Sequence, residues 1–300
     1  MPSAKVWIQA ARIRTLPLSI SGILVGGAMA QREVLFRWDV FCLAIMATLG
    51  FQILSNYAND YGDGVKGTDN DDRVGPKRAL QAGLLTPKQL RSGMWLTTLI
   101  TVLVVIALIF VSFGQGNPVI FIIYFFLGLA AIIAAIKYTV GKSAYGYRGL
   151  GDVFVFLFFG FVSVCGSYFL FTTNWPSHHF LGAICIGCFA TLVLHLNNMR
   201  DRESDALVGK NTLAVYLGKK GSVRYHNVLF VLGVLSWLMY LWIENSAAIY
   251  YTTAFAFVPL CIHFLKVQKV KDHKLLDPQL KVVALSTFAL SLLYFIISFF

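Results

Sequence analysis

Nine runs of about twenty apolar residues punctuate this chain, at 16–31, 38–57, 93–113, 118–137, 152–171, 179–197, 225–243, 247–265 and 281–299. Each is long enough to cross the hydrocarbon of a bilayer. Backbone polar groups find no water there and must bond within the segment, so each run must be a helix. The expectation is an all-α, polytopic membrane protein built as a single domain over residues 1–300. Only 13% of the residues are charged, about half the share of a soluble domain, so the apolar runs cannot be the interior of a large water-soluble fold.

Lys and Arg give the orientation, because they are retained on the cytoplasmic side. With the N-terminus inside, 23 of the 25 fall on inner segments, and only Arg32 and Arg37 fall outside. The net charge of +11 therefore reads as topology and contact with anionic lipid, and nucleic acid is excluded as a partner. Residues 3–14 mix Val6, Trp7 and Ile8 with Lys5, Arg12 and Arg14, the make-up of a short interfacial helix. Together with 16–30 they imitate a secretory signal, but Arg14-Thr-Leu-Pro17 reads as a helix start. Gly22-x-x-x-Gly26 offers a face for close helix approach. The five cysteines lie within apolar runs and read as packing residues.

Chemistry concentrates in two stretches. After the second run comes Asn56-Tyr-Ala-Asn59-Asp60-Tyr-Gly-Asp63, and after the sixth comes Asn197-Asn-Met-Arg200-Asp201-Arg-Glu-Ser-Asp205. Asn56, Asp60 and Asp63 are spaced by four and three, and Asn197, Asp201 and Asp205 by four and four, so a helix continued through either stretch puts its three oxygen donors on one face. Such a set suits Mg²⁺, which leaves coordination positions for substrate phosphates. Two sets at equivalent places, in halves of about 1–150 and 151–300, could hold two Mg²⁺ ions across a diphosphate. Residues 58–92 and 200–224 are long enough to form caps over that site, the second with a short helix near Gly218.

Around the two stretches stand Lys66, Arg73, Lys77, Arg78, Lys137 and Lys210, which serve either as inside charge or as partners of anionic phosphate oxygens. Asp69, Asp71 and Asp72 read as solvated. The segment from Lys137 to Asp152 is crowded with Tyr and Gly, including Tyr138 and Tyr145. Its aromatic faces either stabilise a cation or form an interfacial belt. His195 reads as a hydrogen-bonded helix histidine one turn before Asn198. Carboxylates at helix ends beside basic loops argue against a transporter, whose site sits near mid-bilayer. A phosphatidyl-group transferase would carry its aspartates in one motif, and here they are split by about 140 residues. An enzyme acting on an anionic diphosphate with a greasy tail fits best.

Asn56-x-x-Asn59-Asp60-x-x-Asp63 with Asp201-x-x-x-Asp205-x-x-x-Gly209 resembles the UbiA superfamily of membrane aromatic prenyltransferases, over almost the whole chain. Within it, Gly75-Pro-Lys-Arg78, Tyr138-Thr-Val-Gly141, Tyr145-Gly-Tyr-Arg-Gly-Leu-Gly-Asp152 and Gly209-Lys-Asn-Thr-Leu213 are similar to the branch that prenylates 1,4-dihydroxy-2-naphthoate. One departure is Gly67, where the first motif usually has a third acid, with Asp69 two residues on. The resemblance implies nine helices around a central cavity in the cell inner membrane, with the site on the cytoplasmic face. It implies Mg²⁺-dependent transfer of a polyprenyl group from its diphosphate to the naphthoate with decarboxylation; sister enzymes use 4-hydroxybenzoate or homogentisate. The expected metal ligands are Asn56, Asp60, Asp63, Asn197, Asp201 and Asp205, with the four aspartates and Tyr138 catalytic. Asn59, Lys66, Arg78, Lys137 and Lys210 are expected at the diphosphate, and Arg14, Tyr138 and Tyr145 at the acceptor.

Overall fold

The structure, a computed structural model, describes residues 2–69, 74–114, 116–175 and 177–300. Among the described residues all regular elements are helices, and nine helical segments are long and apolar enough to cross a membrane. We number them after a short first helix α1 (Ala4–Ala11): α2 (Leu16–Gln31), α3 (Trp38–Val65), α4 (Pro87–Phe113), α5 (Pro118–Lys137), α6 (Gly151–Thr172), α7 (Phe180–Leu207), α8 (Leu213–Ile243), α9 (Phe257–Lys269) and α10 (Asp277–Ile297). A 3₁₀ stretch, Ala248–Ala256, leads into α9. The protein is a multi-pass membrane protein.

Helix starts follow local chemistry. Pro17 sits in the first turn of α2. Thr86 and Gln89 form a capping box at α4 with Pro87 in its first turn, which moves that start six residues ahead of the apolar run because caps and not hydropathy set helix ends. Asn117 caps α5. α3 and α7 continue eight and ten residues past their apolar runs, through both acidic stretches, and α8 starts twelve residues ahead of its run. The expected caps are shortened accordingly. Residues 213–217 form a helical turn that joins α8 across Gly218, whose φ of 65° breaks the helix path.

Two glycines bring α2 against α6. A Cβ on Gly22 would stand 2.1 Å from Ser163 Oγ, and one on Gly26 2.0 Å from Ser167 Oγ and 2.3 Å from the Val164 carbonyl. Only glycine permits that approach. Facing them, Phe156–Cys165 of α6 is π-helical, and Gly160 in turn lets α6 meet Gly187 of α7. The main core gathers α7, α8 and α10 around Phe189, Trp237, Tyr240 and Tyr294. Leu99 and Leu103 of α4, and Ile122 and Phe126 of α5, are exposed, as lipid-facing positions must be. All five cysteines are free, and Cys42 and Cys261 are exposed, which corrects their reading as packing residues; lipid accepts a small apolar thiol as readily as a core does.

Between α2, α3, α4, α5 and α6 lies an apolar cavity of about 330 Å³. It reaches from Ala44 and Leu170 at one end to Asn59, Tyr138 and Tyr145 at the other. The charge count predicts which end faces the cytoplasm. In a cysteine-free background, Cys placed at the exposed positions Ser92 and Lys219 should react with an impermeant maleimide only from the cytoplasmic side, and Cys at Asn117 and Asn245 only from the other. Reversed labelling would invert the topology.

Candidate active site

Because α3 stays helical through Val65, Asn56, Asp60 and Asp63 share a buried face, at 3%, 1% and 2% exposure. They do different work. The Asn56 amide donates to the Ala11 carbonyl (2.8 Å) and to Thr15 Oγ1 (3.1 Å), and its oxygen faces Gln52. Through its Nδ2 it anchors α1 to α3. Each oxygen of Asp60 accepts a backbone N–H, from Ala79 and Leu80 at 3.1 Å, so Asp60 fixes the turn that follows Arg78. Asp63 accepts from Arg78 Nη1 (2.5 Å) and from the Tyr147 hydroxyl (2.7 Å).

Arg78 is the hub of this half. Its Nη1 also meets the Asn59 carbonyl (2.7 Å) and Asp69 Oδ2 (2.9 Å). Burial works to lower the guanidinium's pKa, and Asp63 and Asp69 more than reverse it, so Arg78 is a fixed cation. Asp69 is buried and ion-paired, not solvated, because the turn at Gly67 (φ 74°) brings it back under Arg78. Asp71, Asp72 and Arg73 lie outside the described residues. Lys66 is exposed, its ammonium 3.9 Å from the centre of the Tyr147 ring; burial and the nearby Lys210 lower its pKa.

In the second stretch Arg200 occupies the oxygens. It donates to both oxygens of Asp201 (2.8 and 2.6 Å), to Asn197 Oδ1 (2.8 Å) and to Asp277 at the start of α10. Asn197 and Asp201 are thereby committed to this clasp. Asp205 is different: Lys210 approaches Oδ1 at 3.4 Å, and Oδ2 is buried without a partner. Asp205 is within electrostatic reach of Asp201 and Asp63, and Lys210 is within reach of Asp63. The two motifs thus meet around Asp63, Asp205, Lys210 and Tyr147. Tyr147 was missed in the sequence because nothing in its spacing separates it from its neighbours. It bonds Asp63 and Thr68 through its hydroxyl (2.7 and 2.6 Å) and Asn211 through its carbonyl, and burial and the Asp63 charge raise its pKa.

Tyr138 caps α5 where the cavity ends. Glycines make room for it, since a Cβ on Gly146 or Gly151 would stand 3.1 or 3.0 Å from its ring. Burial and the charges of Asp152 and Asp63 hold its phenol well above the ordinary range. Tyr145 meets it edge-on at 5.3 Å and stacks on Phe154 at 4.0 Å. His195 donates from Nε2 to the Ser222 carbonyl (3.0 Å) and turns Nδ1 to Asp152 Oδ1 at 3.5 Å. Lys137 and Arg14 are both exposed. The residue of the α1–α2 turn that reaches the first motif is Thr15, through Gln52 and Asn56.

The UbiA prenyltransferase pattern matches residues 19–297. A 1,4-dihydroxy-2-naphthoate octaprenyltransferase from Haemophilus influenzae is 41% identical over 238 residues, 79% of this chain and 77% of that one. Its counterpart from Escherichia coli is 42% identical over 227 residues, 76% and 73%. The chain belongs to the UbiA prenyltransferase family. Two solved UbiA homologs share the fold: one from Aeropyrum pernix at a TM-score of 0.68, 16% identity and coverage of 92% and 97%, and one from Archaeoglobus fulgidus bound to DMAPP and Mg²⁺ at 0.65, 11% and coverage of 97% and 99%.

In this UbiA-family chain the donors suit Mg²⁺: all are oxygens, and the partnerless buried oxygen of Asp205 lies among like charges that need a cation. The geometry also gives Arg78 a structural role, since its Nη1 is shared among Asp63, Asp69 and the Asn59 carbonyl. Arg78→Met should therefore destabilise the substrate-free protein by about 3–5 kcal/mol, the cost of stranding buried carboxylates, read as a lowered Tm in detergent. An unchanged Tm with a raised KM for the prenyl donor would return Arg78 to the substrate.

Proposed function

We propose that this protein transfers a polyprenyl group from a polyprenyl diphosphate to 1,4-dihydroxy-2-naphthoate with loss of its carboxylate, giving demethylmenaquinol. The observation that carries the reading is the meeting of Asp63, Asp205 and Lys210 beyond the polar end of an apolar cavity walled by Tyr138 and Tyr145. The named relatives support the choice of acceptor. The prenyl tail lies along the cavity with its diphosphate at the aspartates. Asp63 and Asp205 are the proposed centre of the Mg²⁺ site, for two ions, with Asp60 and Asp201 bracing it from their clasps. Mg²⁺ there draws negative charge onto the leaving group.

Lys66 and Lys210 both approach the Tyr147 ring and meet the diphosphate oxygens as charge builds on them. As the C–O bond breaks, its electrons leave with the diphosphate, and the allylic cation faces Tyr138, Tyr145 and Phe158, whose π faces stabilise positive charge. The electron-rich ring carbon of the acceptor then forms the new C–C bond, and CO₂ leaves. The apolar walls keep water from quenching the cation. Arg14, exposed and on the same face, is the proposed first contact of the acceptor carboxylate. We place the site on the cytoplasmic face of the inner membrane, from the distribution of Lys and Arg.

Purified protein with Mg²⁺ and one prenyl diphosphate should yield a prenylated, decarboxylated product from the naphthoate, identified by mass spectrometry, and none from 4-hydroxybenzoate or homogentisate. Product from either of those would reassign the acceptor. Asp63→Asn and Asp205→Asn should each lower turnover at least about tenfold, and EDTA should abolish it until Mg²⁺ is restored. Full turnover in both variants would remove the metal from this gap.

A further inference from the structure

The opposite end of the molecule holds a second polar cluster that prenyl transfer does not use. Arg32 and Glu33 follow α2, His178 and His179 precede α7, and Glu244 follows α8. Along α7 (Phe180–Leu207) the acidic motif from Asn197 to Asp205 lies about 27–39 Å from this cluster. Two glutamate–histidine pairs lie side by side. Glu244 turns Oε1 to His178 Nε2 while Arg32 holds Oε2 at 3.1 Å. Glu33 turns Oε1 to His179 Nε2 at 3.3 Å while the Tyr168 hydroxyl holds Oε2 at 2.6 Å. The two imidazoles stack at 4.6 Å. One ligand atom each from His178, His179 and Glu244 fall within 4.8 Å of one another.

We propose that this cluster binds one divalent transition-metal ion of the zinc class through His178, His179 and Glu244, with Glu33 orienting His179 through its Nε2. Two imidazoles and a carboxylate favour Zn²⁺ over Mg²⁺, which takes oxygen ligands. The supporting shell is built as metal sites require: Arg32 and Ser177, whose hydroxyl lies 3.0 Å from His178 Nδ1, each fix a ligand from outside, and Tyr168 fixes Glu33. His179 is 3% exposed with Nδ1 unpartnered, which leaves that nitrogen open to a metal ion while Nε2 faces Glu33. The ligands come from the α6–α7 and α8–α9 connections and the groups that fix them, Arg32 and Glu33, from the α2–α3 connection, so the ion and its supports join three loops at the end away from the chemistry.

The test uses full-length protein in detergent, stripped with EDTA, returned to Mg²⁺ buffer, loaded with ZnCl₂ and desalted. About one Zn²⁺ per chain should be retained, as metal analysis reads it, by wild type and equally by Asp63→Asn and Asp205→Asn. His178→Ala, at a half-exposed position that tolerates truncation, should retain under about a tenth of that, and Tyr168→Phe should bind about tenfold more weakly. Zn²⁺ should raise the Tm of wild type and not that of His178→Ala, and prenyl transfer by His178→Ala should match wild type. Retention equal in wild type and His178→Ala, or lost in the aspartate variants alone, would overturn the site.

Discussion

A carboxylate taken out of water needs a cation or several N–H donors at once, or it will not stay ionised. The end of the protein that carries both acidic motifs buries Asp60, Asp63, Asp69, Asp201 and Asp205 together, and its architecture answers that demand. Arg78 serves two of them, Arg200 and Lys210 one each, and the backbone at Ala79 and Leu80 serves Asp60. The loop between α3 and α4 folds back onto α3 because Asp60 and Asp63 hold it there. The carboxylates thus organise the loops, and on Asp205 the Oδ2 oxygen is buried without a hydrogen-bond partner.

The apolar half of the site follows from small residues. Gly22 and Gly26 draw α2 onto α6 at Ser163 and Ser167, and Gly160 draws α6 onto α7. The π-helical stretch of α6 widens the helix where Phe158, Phe159 and Val162 line the cavity. A π segment gives up good hydrogen-bond geometry and recurs at functional sites for the side-chain directions it makes available. Here those directions build the wall opposite α3 and α5.

The nine spans were legible because a bilayer reduces the fold to hydropathy and length. The two acidic stretches were legible because their i, i+3 and i+4 spacing has meaning only on a helix. What the sequence hid is which polar group each residue meets. Asn56 has ligand spacing but turns its amide to Ala11, and Arg78 has the charge for a phosphate but lies under two aspartates. Asp69 looked solvated because Gly67, which turns it inward, carries no sign of direction in its letter. Tyr147 and the His–Glu pairs are joined across 66 to 146 residues of chain, a separation no local pattern encodes.

Tyr147 shows how the two halves become one site. Gly209, at φ 70°, reverses the chain after α7, so that the Lys210 N–H bonds the Asp205 carbonyl at 2.8 Å and the Asn211 N–H bonds the Tyr147 carbonyl at 3.2 Å. The first bond sets the lysine against the aspartate of its own motif. The second ties that turn to the residue whose hydroxyl holds Asp63 of the other motif. Lys66 and Lys210 then approach one aromatic ring at 3.9 and 5.7 Å. Two ammonium groups so near each other are tolerable because Asp63 and Asp205 offset them. Arrival of a diphosphate would add negative charge between the lysines, and arrival of a divalent ion would add positive charge between the aspartates. Each therefore improves the site for the other, which is the electrostatic basis for binding metal and diphosphate together.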